Sequence, residues 1–292
     1  MSIWLKTTHM KIGIDIKDIK SYTENMSKGL DDKLFFLNRI NFTDEKSYLF
    51  VDFGCADGVL ISALYDILES KGVHAYYIGY DISEEMINLA KTKCNLSADS
   101  AMFTTNWDDV ERKVKVYSNM ESVLILSSVV HEVYSYARPD SNDIGLFWKR
   151  VRTTGFKYVC VRDMMCSEDI NRPTDHDTYV KFKDHVPFAS TLNNLRYDFE
   201  GTWGEIAKNN KNLVHFLLKY RWRINWEREV IENYFPIYIS EFIEKFSTRY
   251  TVSYFERFRV PYLDKCIKVD FDIELEDYTH VKIVFELKKN ED

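Results

Sequence analysis

A glycine-punctuated turn and an acid that follows a second apolar run are the features of this sequence that could carry chemistry. Residues 48–60 form an apolar run that ends in an acid, passes Gly54 and Gly58, and opens into a helical pattern. Glycines and the small Ala56 keep side chains away from this turn, so a ligand can approach the backbone N–H groups and the helix start closely. The next apolar run ends in Asp81. This arrangement predicts a site for a nucleotide-like cofactor.

Alternating strands and helices must position these residues. The helical pattern over 58–70 is followed by a strand pattern over 75–81, and Ser83 is a good N-cap for the next helix. Further apolar runs predict strands over 100–106, 122–130 and 156–165, with a helix over 144–151. Near-continuous apolar runs are typical of parallel strands that helices cover on both faces. The sequence therefore predicts an α/β fold with a parallel sheet.

The alternation of strand and helix patterns stops over residues 166–247, a stretch far longer than an ordinary connection between two elements. Its first half, 167–201, is polar and carries two prolines, whereas a helix is predicted from about 205 to 233 and again over 239–246. We expect this insertion to act as a substrate-selecting lid.

Both ends of the chain add further elements. Alternation over 250–260 and 279–287 predicts antiparallel strands at the end of the sheet, and 266–275 adds a further strand or an extended arm. Residues 21–40 carry apolar side chains at helical spacing and predict a helix on the sheet. Tyr22 in this segment either covers a ligand or only packs.

Composition narrows the class of protein. The chain has 292 residues, 45% of them hydrophobic and 29% charged, which is ordinary for a globular protein. It has no apolar stretch near the roughly 18 residues of a membrane span and no signal-peptide core, so we expect a cytoplasmic location. Five scattered cysteines without a C-x-x-C pair argue against disulfides and structural zinc. The net charge of -7 means that the chain lacks the overall positive charge typical of nucleic-acid-binding proteins.

The segment VDFGCADG, followed 27 residues after Gly54 by Asp81, resembles the cofactor site of class I S-adenosylmethionine-dependent methyltransferases. The similarity covers roughly 48–165 and 248–287, and Ala56 stands where the family usually has its middle glycine. The segment is not the G-x-G-x-x-G fingerprint of nicotinamide and flavin enzymes.

The resemblance implies a seven-stranded, mostly parallel, doubly wound sheet with an antiparallel last strand, plus the helical insertion. The corresponding domains are an N-terminal helical cap (1–47), a methyltransferase core (48–165 and 248–292) and the insertion (166–247).

The resemblance also implies which residues bind the cofactor, S-adenosylmethionine. Asp81, with Ile82 beside it, would accept hydrogen bonds from the ribose hydroxyls, and Ser127 would lie beside the transferring methyl group. The methionine part would lie on Asp52, Gly54, Cys55, Ala56 and Gly58, and the adenine would lie between Asn106, Trp107 and Asp108.

Candidate catalytic residues follow the fourth strand, where the family places its substrate-facing loop. His131 has the intrinsic pKa to take a proton from a hydroxyl near neutral pH, with Glu132 as a partner. A hydrogen-bonded packing role for this histidine stays open. Tyr134 is a candidate substrate contact. The Asn-Pro-Pro-Tyr and Asp-Pro-Pro-Tyr signatures of amino-group methylation are missing here, which argues against DNA bases as acceptors.

Residues 208–228 are basic and place Trp222 and Trp226 on one predicted helical face. Cations beside stacking aromatic rings could bind RNA or a nucleotide through Arg221 and Trp222. The alternative is an amphipathic helix whose apolar side packs on the core, and it is the favoured interpretation.

Acids and histidines at 175–177 and 184–185 could hold a metal on composition alone, but their spacing is irregular. A solvated loop is favoured, and no metal is expected.

The sequence therefore predicts an S-adenosylmethionine-dependent methyltransferase. A small-molecule acceptor is slightly preferred and RNA comes next, whereas no membrane or DNA partner is expected and the oligomeric state is left open. The alternative function is a catalytically inactive binding or regulatory subunit that keeps the fold.

Overall fold

The computed structural model describes residues 29–185 and 190–289 of the chain. Its strands are β1 (Ser47–Phe53), β2 (His74–Tyr80), β3 (Ala101–Thr104), β4 (Glu121–Ser127), β5 (Tyr158–Met164), β6 (Tyr250–Phe258) and β7 (His280–Leu287). They form one sheet in the order β3-β2-β1-β4-β5-β7-β6. Strands β1 to β5 pair in parallel, and β7 runs antiparallel to both its neighbours. The predicted mostly parallel sheet with an antiparallel last strand is confirmed.

Helices connect these strands and build the insertion. They are α1 (Leu30–Lys33), α2 (Val59–Glu69), α3 (Glu84–Cys94), α4 (Trp107–Val116), α5 (Val130–Ser135), α6 (Asp143–Thr153), α7 (His176–His185), α8 (Ser190–Trp203), α9 (Asn210–Lys219), α10 (Trp226–Glu229), α11 (Ile239–Ser247) and α12 (Pro261–Phe271). Short 3₁₀ helices lie at Phe35–Asn38, Glu168–Ile170, Ile206–Lys208 and Arg223–Asn225.

The sheet is covered on both faces, which explains the apolar strand sequences. Strand β1 lies at its centre, where Val51 pairs in register with Ile78 of β2 and Leu124 of β4, and all three side chains are buried. One layer packs Trp148 and other side chains of α6 and α11 on the sheet, and the opposite layer packs α2 and α3. This double covering fits the expectation for parallel strands.

Side-chain caps start the helices next to the carboxyl ends of β2 and β3. The Ser83 hydroxyl accepts a hydrogen bond from the Met86 N–H (3.3 Å), which confirms the predicted cap of α3. The side-chain amide oxygen of Asn106 accepts from the Asp108 N–H (3.1 Å) at the start of α4.

The insertion has its own apolar core, which it shares with α12. Phe182, Phe216 and Phe271 pack together in this core. The single helix predicted over 205–233 is wrong, because α9 ends at Lys219 and short turns follow. Two helices, α7 and α8, also lie largely within residues 167–201, for which the polar sequence predicts no helix.

A helix replaces the further strand or arm predicted over 266–275. Pro261 starts α12 at a position where its fixed φ suits a helix and its missing N–H costs no hydrogen bond. The buried side chains of Ile267 and Phe271 are four residues apart, which places them on one helical face. Helical spacing therefore overrides the strand-like composition here.

The helix predicted over 21–40 is described only in part, since residues 21–28, including Tyr22, lie outside the described ranges. From Leu30 onward the segment forms α1 and then a 3₁₀ helix, so that part is not one continuous α-helix. Among the described residues, no helix combines the length and the apolar character that crossing a membrane requires.

Candidate functional site

The candidate site lies at the carboxyl edge of the sheet, where β1 has β2 on one side and β4 on the other. The connection after β1 leads to β2 on one side and the connection after β4 leads to β5 on the other, and ligands of open α/β sheets bind where neighbouring connections diverge in this way. Phe53 pairs in register with Leu126, so the turn that begins at Gly54 starts beside Ser127.

The turn after β1 is closed by its own hydrogen bonds. The N–H groups of Gly54 and Cys55 donate to the Tyr80 carbonyl (2.7 and 3.0 Å), and the Gly58 N–H donates to the Cys55 carbonyl (2.9 Å). Positive φ angles of 79° at Gly54, 45° at Ala56 and 77° at Gly58 make this geometry possible. These N–H groups are therefore not offered to a ligand as the sequence suggested.

Close packing explains the two glycines. A Cβ atom on Gly54 would lie 2.8 Å from Cγ2 of Val129, and one on Gly58 would lie 2.5 Å from Sγ of Cys94. Neither distance is sterically tolerable, so both positions exclude a side chain. The space that the glycines leave is filled by the protein itself.

Asp81 joins the ends of β1 and β2. One carboxylate oxygen accepts from the Ala56 N–H (3.0 Å) and the other from the Ser83 N–H (2.9 Å). Burial raises the pKa of this carboxyl group, while the hydrogen bonds from Ser83 and Ala56 oppose the rise. Each oxygen keeps a second lone pair, so the half-buried carboxylate can still accept two hydroxyl groups.

Asp52 is buried at the end of β1. Burial raises the pKa of its carboxyl group to about 7, the positive charge of Lys33 acts in the opposite direction, and the charge of Asp81 adds to the rise. The group is therefore poised between its charged and neutral forms near neutral pH.

The three residues predicted to flank an adenine have different environments. The side-chain amide oxygen of Asn106 is used as the α4 cap, and Asp108 is exposed. Trp107 is only 2% exposed and packs on Phe53 and Tyr80, with ring centroids 5.4 and 5.2 Å away. Its indole belongs to the core in this conformation and does not face a ligand.

Two neighbouring positions are candidates for ligand contact. Ile82, next to Asp81, is 39% exposed. The Ser127 hydroxyl oxygen at the end of β4 is buried and has no hydrogen-bond partner among the described residues. Buried polar atoms in native proteins are rarely left in this state, so a polar group of a ligand is its natural partner.

His131 is buried and forms a 2.7 Å hydrogen bond through Nδ1 with the carboxylate of Asp163. Burial alone would lower the pKa of this imidazole, but the adjacent Asp163, with Glu132 and Glu232, raises it to about 9. A histidine with this pKa is charged at neutral pH and already holds the proton that a general base must accept. The geometry therefore supports a positioning role.

Asp163, near the end of β5, organises the loop after β4. One oxygen accepts the N–H groups of Val129 (3.0 Å) and Val130 (2.7 Å), and the other accepts the Met164 N–H and binds His131. Sequence reasoning missed this residue. The available signal was an acid near the end of a largely apolar strand, since an acid is costly to bury unless it is hydrogen-bonded.

An arginine ties the insertion to the loop after β4. Arg228 donates to the carboxylates of Glu132 and Glu232, both at 2.7 Å, and the hydroxyl of Tyr136 also donates to Glu232 (2.5 Å). Burial raises the pKa of Glu132 to about 7, and Arg228 opposes this rise. The insertion thus contacts the candidate substrate loop directly.

The basic stretch 208–228 is not an open cationic surface. Arg221 pairs with Asp270 of α12 at 2.6 Å, and Lys219 is fully buried and donates to main-chain carbonyls of Glu229 and Glu232. Trp222 lies in a turn before Trp226 starts a separate helix, so the predicted common helical face is wrong.

Tyr134, the other described substrate candidate, accepts a hydrogen bond from the Trp148 indole at 2.9 Å. No group of three His, Cys, Asp or Glu residues within the described ranges is placed to hold a metal ion. In the stretch considered for a metal, Asp175 accepts from the N–H and hydroxyl of Thr178, and His185 contacts the Lys181 carbonyl.

The comparisons with known proteins add structural similarities at low identity. No protein-family model matches the chain, and the search of curated proteins also finds no match. An S-adenosylmethionine-dependent methyltransferase from Anabaena variabilis is 12% identical and has a TM-score of 0.45, with coverage of 94% of this chain and 97% of its own. Another from Mesorhizobium loti is 11% identical with a TM-score of 0.45, covering 88% and 97%.

A third similar structure is a complex between the Haloferax volcanii Trm112 methyltransferase activator and a putative methyltransferase. The matched chain is 11% identical with a TM-score of 0.43, and the match covers 94% of this chain and 100% of that one. Such values assign no activity, substrate or partner. The strand order, with five parallel strands and then two C-terminal strands of which the last is antiparallel, is the one that the resemblance to class I methyltransferases predicted.

Proposed function

We propose that this chain is an S-adenosylmethionine-dependent methyltransferase whose cofactor binds at the carboxyl ends of β1, β2 and β4. The observation that carries the proposal is the position of Asp81. Its carboxylate lies against the turn after β1, held there by the Ala56 N–H, and it retains lone pairs for two hydroxyl groups.

The closed turn favours this cofactor over a phosphate-bearing nucleotide. The N–H groups of Gly54, Cys55 and Gly58 donate within the protein, and the nearest charged groups at the strand ends include the acids Asp52 and Asp81. A phosphate placed on this turn would find the N–H groups of Gly54, Cys55 and Gly58 already engaged and would be repelled by the carboxylate of Asp81. A nucleoside that presents hydroxyl donors and carries a positive charge fits the same surroundings.

The residues at the site have distinct roles in this proposal. Asp81 accepts the ribose hydroxyls with Ile82 beside it, Asp52 faces the positively charged amino group of the methionine part, and Ser127 lies beside the reacting centre. The bound cofactor supplies an electrophilic methyl group. The other side chains hold the acceptor in line and exclude water, which are the main requirements of a direct displacement.

The loop after β4 provides the rigid wall of the reacting centre. Asp163 holds this loop, which follows directly after Ser127, through the N–H groups of Val129 and Val130 and through His131. The side chain of Glu132 is 31% exposed and lies between this loop and the insertion. It is therefore the better-placed of the two candidate catalytic residues to meet an acceptor.

A small-molecule acceptor is favoured over RNA. The cations expected to bind RNA are engaged by the protein itself, as Arg221 is by Asp270 and Arg228 is by Glu132 and Glu232. The contact between Arg228 and Glu132 brings the insertion to the edge of the site, which is where a lid that selects a small acceptor has to lie.

The test is methyl transfer from labelled S-adenosylmethionine into fractions of a cell extract. Label should enter a low-molecular-weight fraction with the native chain and should fall to background with the heat-denatured chain. Label in the RNA fraction would show that RNA, and not a small molecule, is the methyl acceptor. Tight binding of S-adenosylhomocysteine without transfer to any fraction would instead favour the catalytically inactive binding or regulatory subunit.

A further inference from the structure

Lys33 lies at the same edge of the sheet as the cofactor site. The preceding residue, Asp32, pairs with Arg162 of β5 (2.9 Å) and with Lys282 of β7 (2.5 Å). Arg162 is paired in register with Ser127, and its guanidinium also donates to Ser128 (3.0 Å). These contacts hold the segment that carries Lys33 over the carboxyl ends of β4 and β5.

Buried apolar side chains fix the same segment from its other side. Leu34 and Phe36 are 5% and 0% exposed and belong to the layer that also contains Phe50 of β1. Phe36 and Phe50 have ring centroids 6.5 Å apart. The backbone around Lys33 is therefore anchored by ion pairs and by packing, so its side chain has a restricted reach.

The charged groups around Lys33 are mostly engaged elsewhere. The charged groups that act on the pKa of Lys33 include Arg162, Asp52, Asp57 and Glu132. Arg162 pairs with Asp32, Asp57 pairs with Lys93 at 2.6 Å, and Glu132 pairs with Arg228 at 2.7 Å. Within residues 29–185 and 190–289, neither Lys33 nor Asp52 has an ion pair or a side-chain hydrogen bond.

Among the described residues, one cation, Lys33, and one acid, Asp52, therefore have no direct partner at the end of β1. An α-amino acid carries the complementary pair, since its carboxylate suits a lysine ammonium and its ammonium suits an aspartate. Burial lowers the pKa of Lys33, and the neighbouring Arg162 lowers it further, which fits a cation without a direct anionic partner.

We infer that Lys33 binds the carboxylate of the methionine part of the cofactor, opposite Asp52, which binds the amino group. This inference rests on the proposed function and adds a residue from the N-terminal segment to the site. It places the amino-acid end of the cofactor between α1 and β1, and the nucleoside end at Asp81.

Two ligands that differ only at the amino-acid end test the assignment. S-adenosylhomocysteine has the complete amino acid, whereas 5′-deoxy-5′-methylthioadenosine has the same nucleoside and thioether sulfur without it. Calorimetric titration of the full chain should show that Lys33→Ala weakens binding of S-adenosylhomocysteine by roughly 10- to 100-fold. Binding of methylthioadenosine should change by less than about twofold, because that ligand has no carboxylate.

Two further variants serve as controls. Lys33→Arg keeps the positive charge and should recover most of the affinity for S-adenosylhomocysteine. Lys46→Ala removes a lysine that pairs with Glu121 at the opposite end of the sheet, so it should change neither affinity.

The possible failures are distinguishable. Equal weakening of both ligands in Lys33→Ala, or no weakening of either, would overturn the role of Lys33 while the proposed function stands. If the native chain binds neither ligand, the proposed function itself is wrong.

Discussion

The backbone N–H of Ala56 donates to the carboxylate of Asp81 over 3.0 Å and thereby joins the loops that leave β1 and β2. The same carboxylate also accepts the Ser83 N–H, so the acid is oriented before any ligand arrives. A preoriented acceptor loses less conformational entropy on binding than a mobile one. This relationship makes Asp81 the centre of the candidate site.

Gly54→Ala should destabilise the protein by about 2–4 kcal/mol, since it combines a left-handed backbone with overpacking against Val129. Gly72→Ala is the matched control, because Gly72 also has a positive φ (70°) but open space around its Cα. It should cost only about 1 kcal/mol, the price of the backbone conformation alone. Urea unfolding measures both, and equal losses would show that packing against Val129 contributes nothing.

The contact between His131 and Asp163 should make stability depend on pH. The pKa of His131 rises from 6.5 to about 9 in the folded state, so its stabilising contribution is complete below about pH 6.5 and is lost as the pH rises through 9. The contribution is about 3 kcal/mol at most.

The measurement for this prediction is the difference in unfolding free energy between the native chain and His131→Asn at pH values from 6 to about 9.5. The difference should shrink as the pH rises. His74→Gln, which removes an exposed histidine, should give a flat difference over the same range. A flat profile for His131→Asn as well would argue against a charged His131.

Arg228→Met should destabilise the protein by about 3 kcal/mol, because it removes the arginine that pairs directly with the buried carboxylate of Glu232. Hydrogen exchange should increase in α10 and in residues 230–238, which follow it. Arg221→Met removes an equally short but more exposed pair with Asp270 and should cost less than about 1 kcal/mol. Similar losses for the two variants would contradict the view that Arg228 fastens the insertion to the core.

The strands and the position of Asp81 were predictable because both depend on local sequence. Apolar runs mark buried parallel strands, and an acid directly after such a run lies at the carboxyl edge of the sheet. Trp107 shows the limit of this reasoning. An aromatic residue after a helix cap can face a ligand or the core, and only the packing on Phe53 and Tyr80 decides between them.

Polar contacts between residues far apart in the chain could not be predicted from the sequence. His131 and Asp163 are 32 residues apart, and Glu132 meets Arg228 across 96 residues, so no spacing rule connects them. The histidine alone suggests a base, whereas the acid beside it produces a charged imidazole. The strand or arm predicted over 266–275 is wrong for a related reason. The apolar residues of this stretch also suit a strand, and only their burial against the insertion shows that they lie on one face of α12.

Calorimetric binding of S-adenosylhomocysteine to the native chain and to Asp81→Asn is the most direct test of the cofactor assignment. Asparagine keeps one oxygen for a backbone N–H but loses the charge, so affinity should fall roughly 10-fold or more. Asp99→Asn, at an exposed acid, is the control and should bind as the native chain does. Unchanged affinity in a folded Asp81→Asn, with the unfolding temperature preserved, would contradict a cofactor site at this carboxylate.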